Sequence, residues 1–235
     1  PFTMDSIRVE LSRRHLGIHG VHNSVLSLKR DDNKQFSDFL SRSSRSKNVR
    51  HETLITLEID RHTDPELLID LQADLDDVLY QVAVVVNDFE PMLGNIDELL
   101  LMYDQIKADK RPAGLAEARE FVHWLKLHFT FLGYDEYQLV KKGEETLALV
   151  MGSQKGQLKY CDEYCRAELV DDSLRENASL TLIPDLLSFT KSPSKSRVHR
   201  PAYPDYIILK RFDKMGRVTG ESRFLGLYTS EVYIG

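Results

Sequence analysis

Apolar positions recur at two different periods along this chain, and the period changes near its middle. Over residues 3–16, Met4, Ile7, Leu11 and Leu16 fall near helical spacing, with Thr3 or Asp5 placed to cap. The pattern predicts a helix that Gly17 ends in the left-handed conformation. A long strand is expected from Ile18 to Arg30, with Leu26 and Leu28 on one face. Residues 31–51 are polar, and the Ser41–Arg50 stretch has no period, so a loop is expected there. The next strand, Glu52 to Asp60, alternates Leu54, Thr56 and Glu58 against Thr53, Ile55, Leu57 and Ile59. Asp64-Pro65-Glu66 supplies a capping carboxylate followed by proline at the first helical position. The helix it opens carries Leu67, Leu68, Leu71, Leu75, Val78 and Leu79 as its buried stripe, and Val82 to Asn87 then reads as a buried strand.

Beyond Asn87 the pattern predicts a helix from Pro91 to Ala108, a break at Arg111-Pro-Ala-Gly114, and a second helix from Leu115 to His128 with Ala118, Phe121, Val122 and Leu125 on one side. Strands then dominate: Phe129–Val140, Glu145–Met151, Asp185–Thr190, Tyr206–Phe212 and Val218–Tyr228, the last two joined by a turn at Asp213-Lys-Met-Gly216. The fold class expected is α+β. Its first part is an αββαβ unit over residues 1–90, one strand short of the ferredoxin-like arrangement of ACT regulatory domains. The missing first strand would lie upstream of Pro1. A helical connector is expected over 91–128, and a second antiparallel sheet domain, ACT-like or PAS-like, over 129–235.

Bulk properties narrow the function classes. At 235 residues the chain is long enough for one large domain or two smaller ones. A net charge of −6 argues against a general nucleic-acid binder, which needs excess cations to displace counterions. The longest apolar run, Val82 to Val86, is far short of a membrane span, so no membrane partner is expected. Cys161 and Cys165 form a lone C-x₃-C pair, which marks neither a zinc site nor a disulfide framework and fits a cytoplasmic, reducing location. The opening at Pro1 without methionine points to an excerpt of a longer chain.

Four blocks are more individual than general globular sequence: Pro1-Phe-Thr-Met-Asp-Ser-Ile-Arg-Val-Glu-Leu11, Asn87-Asp-Phe-Glu-Pro-Met92, His128-Phe-Thr-Phe-Leu-Gly-Tyr-Asp-Glu-Tyr137, and the run from Ser196-Arg-Val-His-Arg-Pro-Ala-Tyr-Pro-Asp-Tyr206 to Arg223-Phe-Leu-Gly-Leu-Tyr-Thr-Ser230. In these the chain resembles the N-terminal region of the large bacterial NAD-dependent glutamate dehydrogenases. The resemblance implies a parent enzyme that oxidises L-glutamate to 2-oxoglutarate and ammonia with NAD. It also implies that this region is regulatory or oligomer-forming. The remaining domains of the same polypeptide, further copies of the chain and an amino-acid effector are then its expected partners. No cofactor, catalytic residue or metal site is expected within these residues: G-x-G-x-x-G is absent, and Gly152-Ser-Gln-Lys-Gly156 is too short for a P-loop.

Three constellations compete for a functional role. ACT domains bind effectors between the loop after their first strand and the second strand of a neighbouring domain, which here points to Pro1, Phe2 and Thr3 with His22, Asn23 and Ser24. The plain alternative is an ordinary helix start. His15, His19 and His22 have spacings that suit one helix face, but Gly17 and Gly20 interrupt it and no zinc site is expected. The third is Arg197, His199, Arg200, Tyr203 and Tyr206, within a Lys191–Arg217 stretch of eight Lys and Arg against two acidic residues. Such a patch suits interdomain docking, with the acidic helix Asp64–Asp77 as an internal partner, or an anion, or is a plain solvated surface.

Overall fold

The structure, a computed structural model, describes residues 2–33, 35–40, 49–142, 144–160 and 185–229. The architecture is α+β. The chain divides into two compact units, Glu10–Gln72 and Pro1–Val9 with Ala73–Gly235. The boundaries fall inside two helices, α1 (Thr3–Arg13) and α2 (Pro65–Asp104).

The smaller unit is built on an antiparallel sheet of order β2-β1-β3, from β1 (Ile18–Arg30), β2 (Phe36–Phe39) and β3 (Arg50–Ile59). β1 and β3 stay in register from Val21 opposite Leu57 to Leu28 opposite Arg50. β2 arises inside the stretch that the sequence marks as loop. Its Phe36 and Phe39 rings lie 4.8 Å apart, and residues 41–48 of that stretch lie outside the described residues. The end of α1 also differs from expectation. His15, at φ 58°, takes the left-handed position rather than Gly17, and the Leu16 N–H returns to the Leu11 carbonyl at 2.9 Å. Gly17 is needed for a close approach instead. Its N–H donates to Asp60 Oδ2 at 2.6 Å, and a Cβ there would stand 2.8 Å from the same oxygen. Arg30 closes the sheet with a two-pronged pair to Glu52, both contacts at 2.6 Å.

In the larger unit the expected strand Val82–Asn87 does not form. These residues lie within α2, which runs 40 residues. The reason is period. Val78, Val82, Val85, Met92, Ile96, Leu99 and Tyr103 are all buried at spacings of three, four and seven, so one helical stripe runs through the apolar run. A valine-rich run of five residues cannot outvote that length of pattern. Pro91, expected to open a helix, sits inside α2, where it withholds one backbone donor without ending the helix.

A short 3-10 turn (Ala108–Lys110) and Gly114 at φ 77° lead into α3 (Leu115–His128). The sheet that follows comprises β4 (Phe129–Lys142), β5 (Glu144–Leu149), β6 (Lys155–Gly156), β7 (Leu187–Lys191), β8 (Asp205–Phe212) and β9 (Val218–Tyr228). Its order is β5-β4-β9-β8-β7, with β6 paired to β4, and all pairings are antiparallel. The hairpin between β8 and β9 closes as expected, with Asp213 N–H to the Arg217 carbonyl at 2.9 Å and Gly216 at φ 71°. Met92, Ile96, Leu99 and Tyr103 of α2 join Ala118, Val122 and Leu125 of α3 on one face, against Phe131, Tyr134, Ile207, Leu209 and Phe224. Burying each large side chain of this set contributes about 1.5–3 kcal/mol. Residues 91–128, read as a connector, thus supply the helical layer of this unit's core.

Candidate functional site

In the amino-terminal half of the expected effector site, Phe2 is the residue seen to pack. Pro1 lies outside the described residues. Phe2, at φ 64°, packs against the cluster of Val82, Val85, Leu132, Val198 and Leu227, and its ring centroid is 4.8 Å from that of His199. Thr3 opens α1. His22, Asn23 and Ser24 are consecutive on β1 and exposed, so His22 and Ser24 share one face of the strand and Asn23 takes the other. They belong to the smaller unit, while Phe2 and Thr3 belong to the larger. Of the three histidines, His19 Nε2 lies 2.7 Å from Asp60 Oδ1. Among the described residues no group of three His, Cys, Asp or Glu gathers at metal-holding distance, and Cys161 and Cys165 lie outside the described residues.

The basic patch separates into two groups. Arg197, His199 and Arg200 sit on the segment between β7 and β8, which is pinned by Ser196 N–H to the Ala202 carbonyl at 2.9 Å and by Ser196 Oγ to the Val198 carbonyl at 2.8 Å. From this segment Arg197 reaches α2, donating to Asp77 Oδ2 at 2.6 Å and to the Asp74 carbonyl at 3.2 Å. His199, in the left-handed region at φ 72°, donates its N–H to Ser6 Oγ of α1 at 3.0 Å. Burial holds its imidazole below the usual range, helped by Arg200 and opposed by Asp5. Arg200 donates to the Tyr228 carbonyl at the end of β9. Tyr203 is half-exposed, with Lys195 Nζ 5.6 Å above its ring.

Tyr206 leaves this group entirely. It lies fully buried on β8, and its hydroxyl donates to Asp135 Oδ1 at 3.4 Å. Around it is a set that the sequence reading passed over: Asp135, Tyr137, Glu221 and Arg223, all between 0% and 2% exposed. Strand register places Asp135 opposite Arg223 and Tyr137 opposite Glu221. Arg223 donates to Glu221 Oε2 from Nε at 3.0 Å and from Nη2 at 2.7 Å, and its guanidinium stands 4.1 Å over the Tyr137 ring. Burial opposes the charge on Arg223, but the surrounding tyrosines and carboxylates outweigh it and keep the guanidinium protonated. Burial first, then Asp135, drives the Tyr206 hydroxyl well above its usual range, so it stays a donor. On the opposite face of the same strands, Arg211 Nη1 lies 3.1 Å from Glu136 Oε2 and 3.0 Å from Ser222 Oγ.

Within the set around Tyr206 two carboxylates stand against one guanidinium, and Asp135 accepts from the phenols of Tyr137 and Tyr206. Each carboxylate faces a guanidinium or a phenol, so the network fixes strand register and offers no activated nucleophile. The sequence did carry a signal. Asp135, Tyr137, Tyr206 and Arg223 all belong to the individual blocks noted above, and Glu221-Ser-Arg223 places two opposite charges on one face of a strand just before Phe224-Leu225. A carboxylate reinforces the neighbouring hairpin as well: Gly156, at φ 58°, donates its N–H to Asp88 Oδ2 at 2.7 Å, and Lys159 Nζ meets the same residue's Oδ1 at 3.0 Å.

Comparison with known proteins places these features. Residues 1–75 match the family described as glutamate dehydrogenase, ACT1 domain. Over 236 residues the chain is 39% identical to the NAD-specific glutamate dehydrogenase of Halomonas elongata, covering 99% of this chain and 15% of that protein. It is also 39% identical, over 237 residues, to the NAD-specific glutamate dehydrogenase of Pseudomonas aeruginosa, covering 99% of this chain and 14% of that protein. The chain therefore spans about one seventh of the length of these relatives.

Proposed function

We propose that this chain, which carries the ACT1-domain region of the NAD-specific glutamate dehydrogenases, is a regulatory and assembly region of such an enzyme. The parent reaction is the conversion of L-glutamate, NAD and water to 2-oxoglutarate, ammonia and NADH, in the cytoplasm. Its catalytic and NAD-binding residues lie in other parts of the polypeptide. The role here is to sense an amino acid, or to hold domains and subunits together, and to pass the result on through a shift in domain arrangement.

The observation that carries this reading is the ACT1 match over residues 1–75 within an identity that extends across the whole chain. The test is a thermal-shift titration of the 235-residue chain with the common amino acids. A sensor gains stability from a ligand bound to its folded state, so a saturable rise in melting temperature is expected. No rise with any of them would remove the sensing role.

A second reading, a scaffold without a small-molecule ligand, is favoured by one feature. Phe36, Phe39 and Leu54 stand 51–64% exposed in the smaller unit, where β3 pairs only with β1 among the described strands. An open edge beside apolar side chains is suited to assembly. That reading predicts concentration-dependent association in sedimentation, weakened by Phe39→Ser.

A further inference from the structure

A cavity of about 730 Å³ lies beside the last turn of α2 and the first two turns of α3, within the roughly 300–1,000 Å³ usual for small-ligand sites. Tyr103 and Leu115, both buried, give it an apolar wall. Its charged residues divide into a closed set and an open pair. Arg119 is held by two carboxylates of the lining, Asp104 Oδ1 at 2.7 Å and Glu120 Oε1 at 3.0 Å. Arg111 and Glu117 line the same cavity and are exposed, and neither forms an ion pair or a hydrogen bond among the described residues, although the Arg111 charge also acts on Asp104 from beyond contact distance. They are near enough to share a cavity and do not meet.

We propose that this cavity is the seat of a free α-amino acid, with the ligand carboxylate on Arg111, its ammonium on Glu117 and its side chain along Tyr103 and Leu115. The inference rests on the regulatory reading above and gives it a ligand class and a place. A guanidinium presents paired donors to a carboxylate, while a lone carboxylate suits an ammonium. The balance of the lining sets the choice of ligand. Three carboxylates, Asp104, Glu117 and Glu120, stand against two guanidiniums, Arg111 and Arg119. The surplus negative charge disfavours dianions such as 2-oxoglutarate and favours neutral or cationic amino acids over acidic ones. The lining of the site does not include Phe2, which packs against a different apolar cluster.

The test is calorimetric titration of the 235-residue chain with L-leucine, L-lysine, L-glutamate and 2-oxoglutarate, repeated on Arg111→Ala and Glu117→Ala. Both substitutions are at exposed positions and leave the fold intact, which the unfolding midpoint checks. Leucine or lysine should bind, 2-oxoglutarate should not, and each variant should weaken binding by about tenfold or more through loss of a charge-assisted contact. Binding that survives either substitution within twofold would overturn the site while leaving the sensing role standing. Binding of none of the three amino acids at saturating concentration would overturn the site, and with silent thermal-shift titrations the sensing role would fall too. Tightest binding by 2-oxoglutarate would overturn the ligand class alone.

Discussion

The two sheets of this protein are built to opposite plans. In the six-stranded sheet, every residue of β8 except Arg211 is buried, and so are eight consecutive residues of β9. In the three-stranded sheet, β1 buries only Ser27 and Leu28, and β3 buries nothing completely. Yet the well-covered sheet holds more charge in its interior, with Asp135, Asp205, Lys210, Glu221 and Arg223 at 7% exposure or less. Coverage on both faces converts ordinary strand charges into interior ones, and interior charges must then find partners. The open sheet has no such obligation. Its pairs, Arg30 with Glu52 and His19 with Asp60, sit at the surface.

The contrast can be broken most severely at Glu221. Glu221→Ala leaves the buried Arg223 guanidinium without its closest carboxylate and should cost about 3–5 kcal/mol in urea denaturation. Removing the three charges together, Glu221→Leu with Arg223→Met and Asp135→Asn, should recover most of that loss, because the desolvation penalty goes with the charges. A combined variant as unstable as the single one would show that the network contributes more than charge balance. Next in size is Gly156→Ala, which sets a Cβ 2.1 Å from the Leu132 carbonyl oxygen at a φ of 58°. It should cost more than about 1 kcal/mol, read from the same denaturation midpoint.

In the open unit the effects should be smaller and tied to solution conditions. The Gly17 N–H, and after it His19, hold the Asp60 carboxyl below its usual range. A depressed native value means that the contribution is present above the unfolded value of about 3.9 and is lost as pH falls through the native one. Asp60→Asn should therefore flatten the acid limb of the stability profile and leave the neutral-to-alkaline part parallel to wild type. Smallest of all, Leu54→Ser, at a side chain 56% exposed, should change stability by no more than about 0.5 kcal/mol.

The same contrast explains what could be read from sequence. β1, α3, β9 and the 213–216 turn are legible because each has its own period or turn chemistry. Val82 to Val86 misleads because a short apolar run looks alike in a strand and in a buried helix, and only the stripe from Val78 to Tyr103 decides it. β2 is four residues long and offers no period at all. The basic patch was visible as charge, but its division was not, since Tyr206 alternates into the sheet while Arg197 and Arg200 stay on the preceding segment. The network of Asp135, Glu221 and Arg223 was hidden for a simpler reason. A charged residue on a strand reads as a solvent-facing position unless it is known that both faces are covered.

Amide hydrogen exchange of the 235-residue chain, followed strand by strand, tests the contrast most directly. The account predicts that β4, β8 and β9 exchange only through global unfolding, while β1 and β3 exchange faster through a separate opening of lower free energy. Equal protection of the two sheets, or slower exchange in β1 and β3, would contradict it.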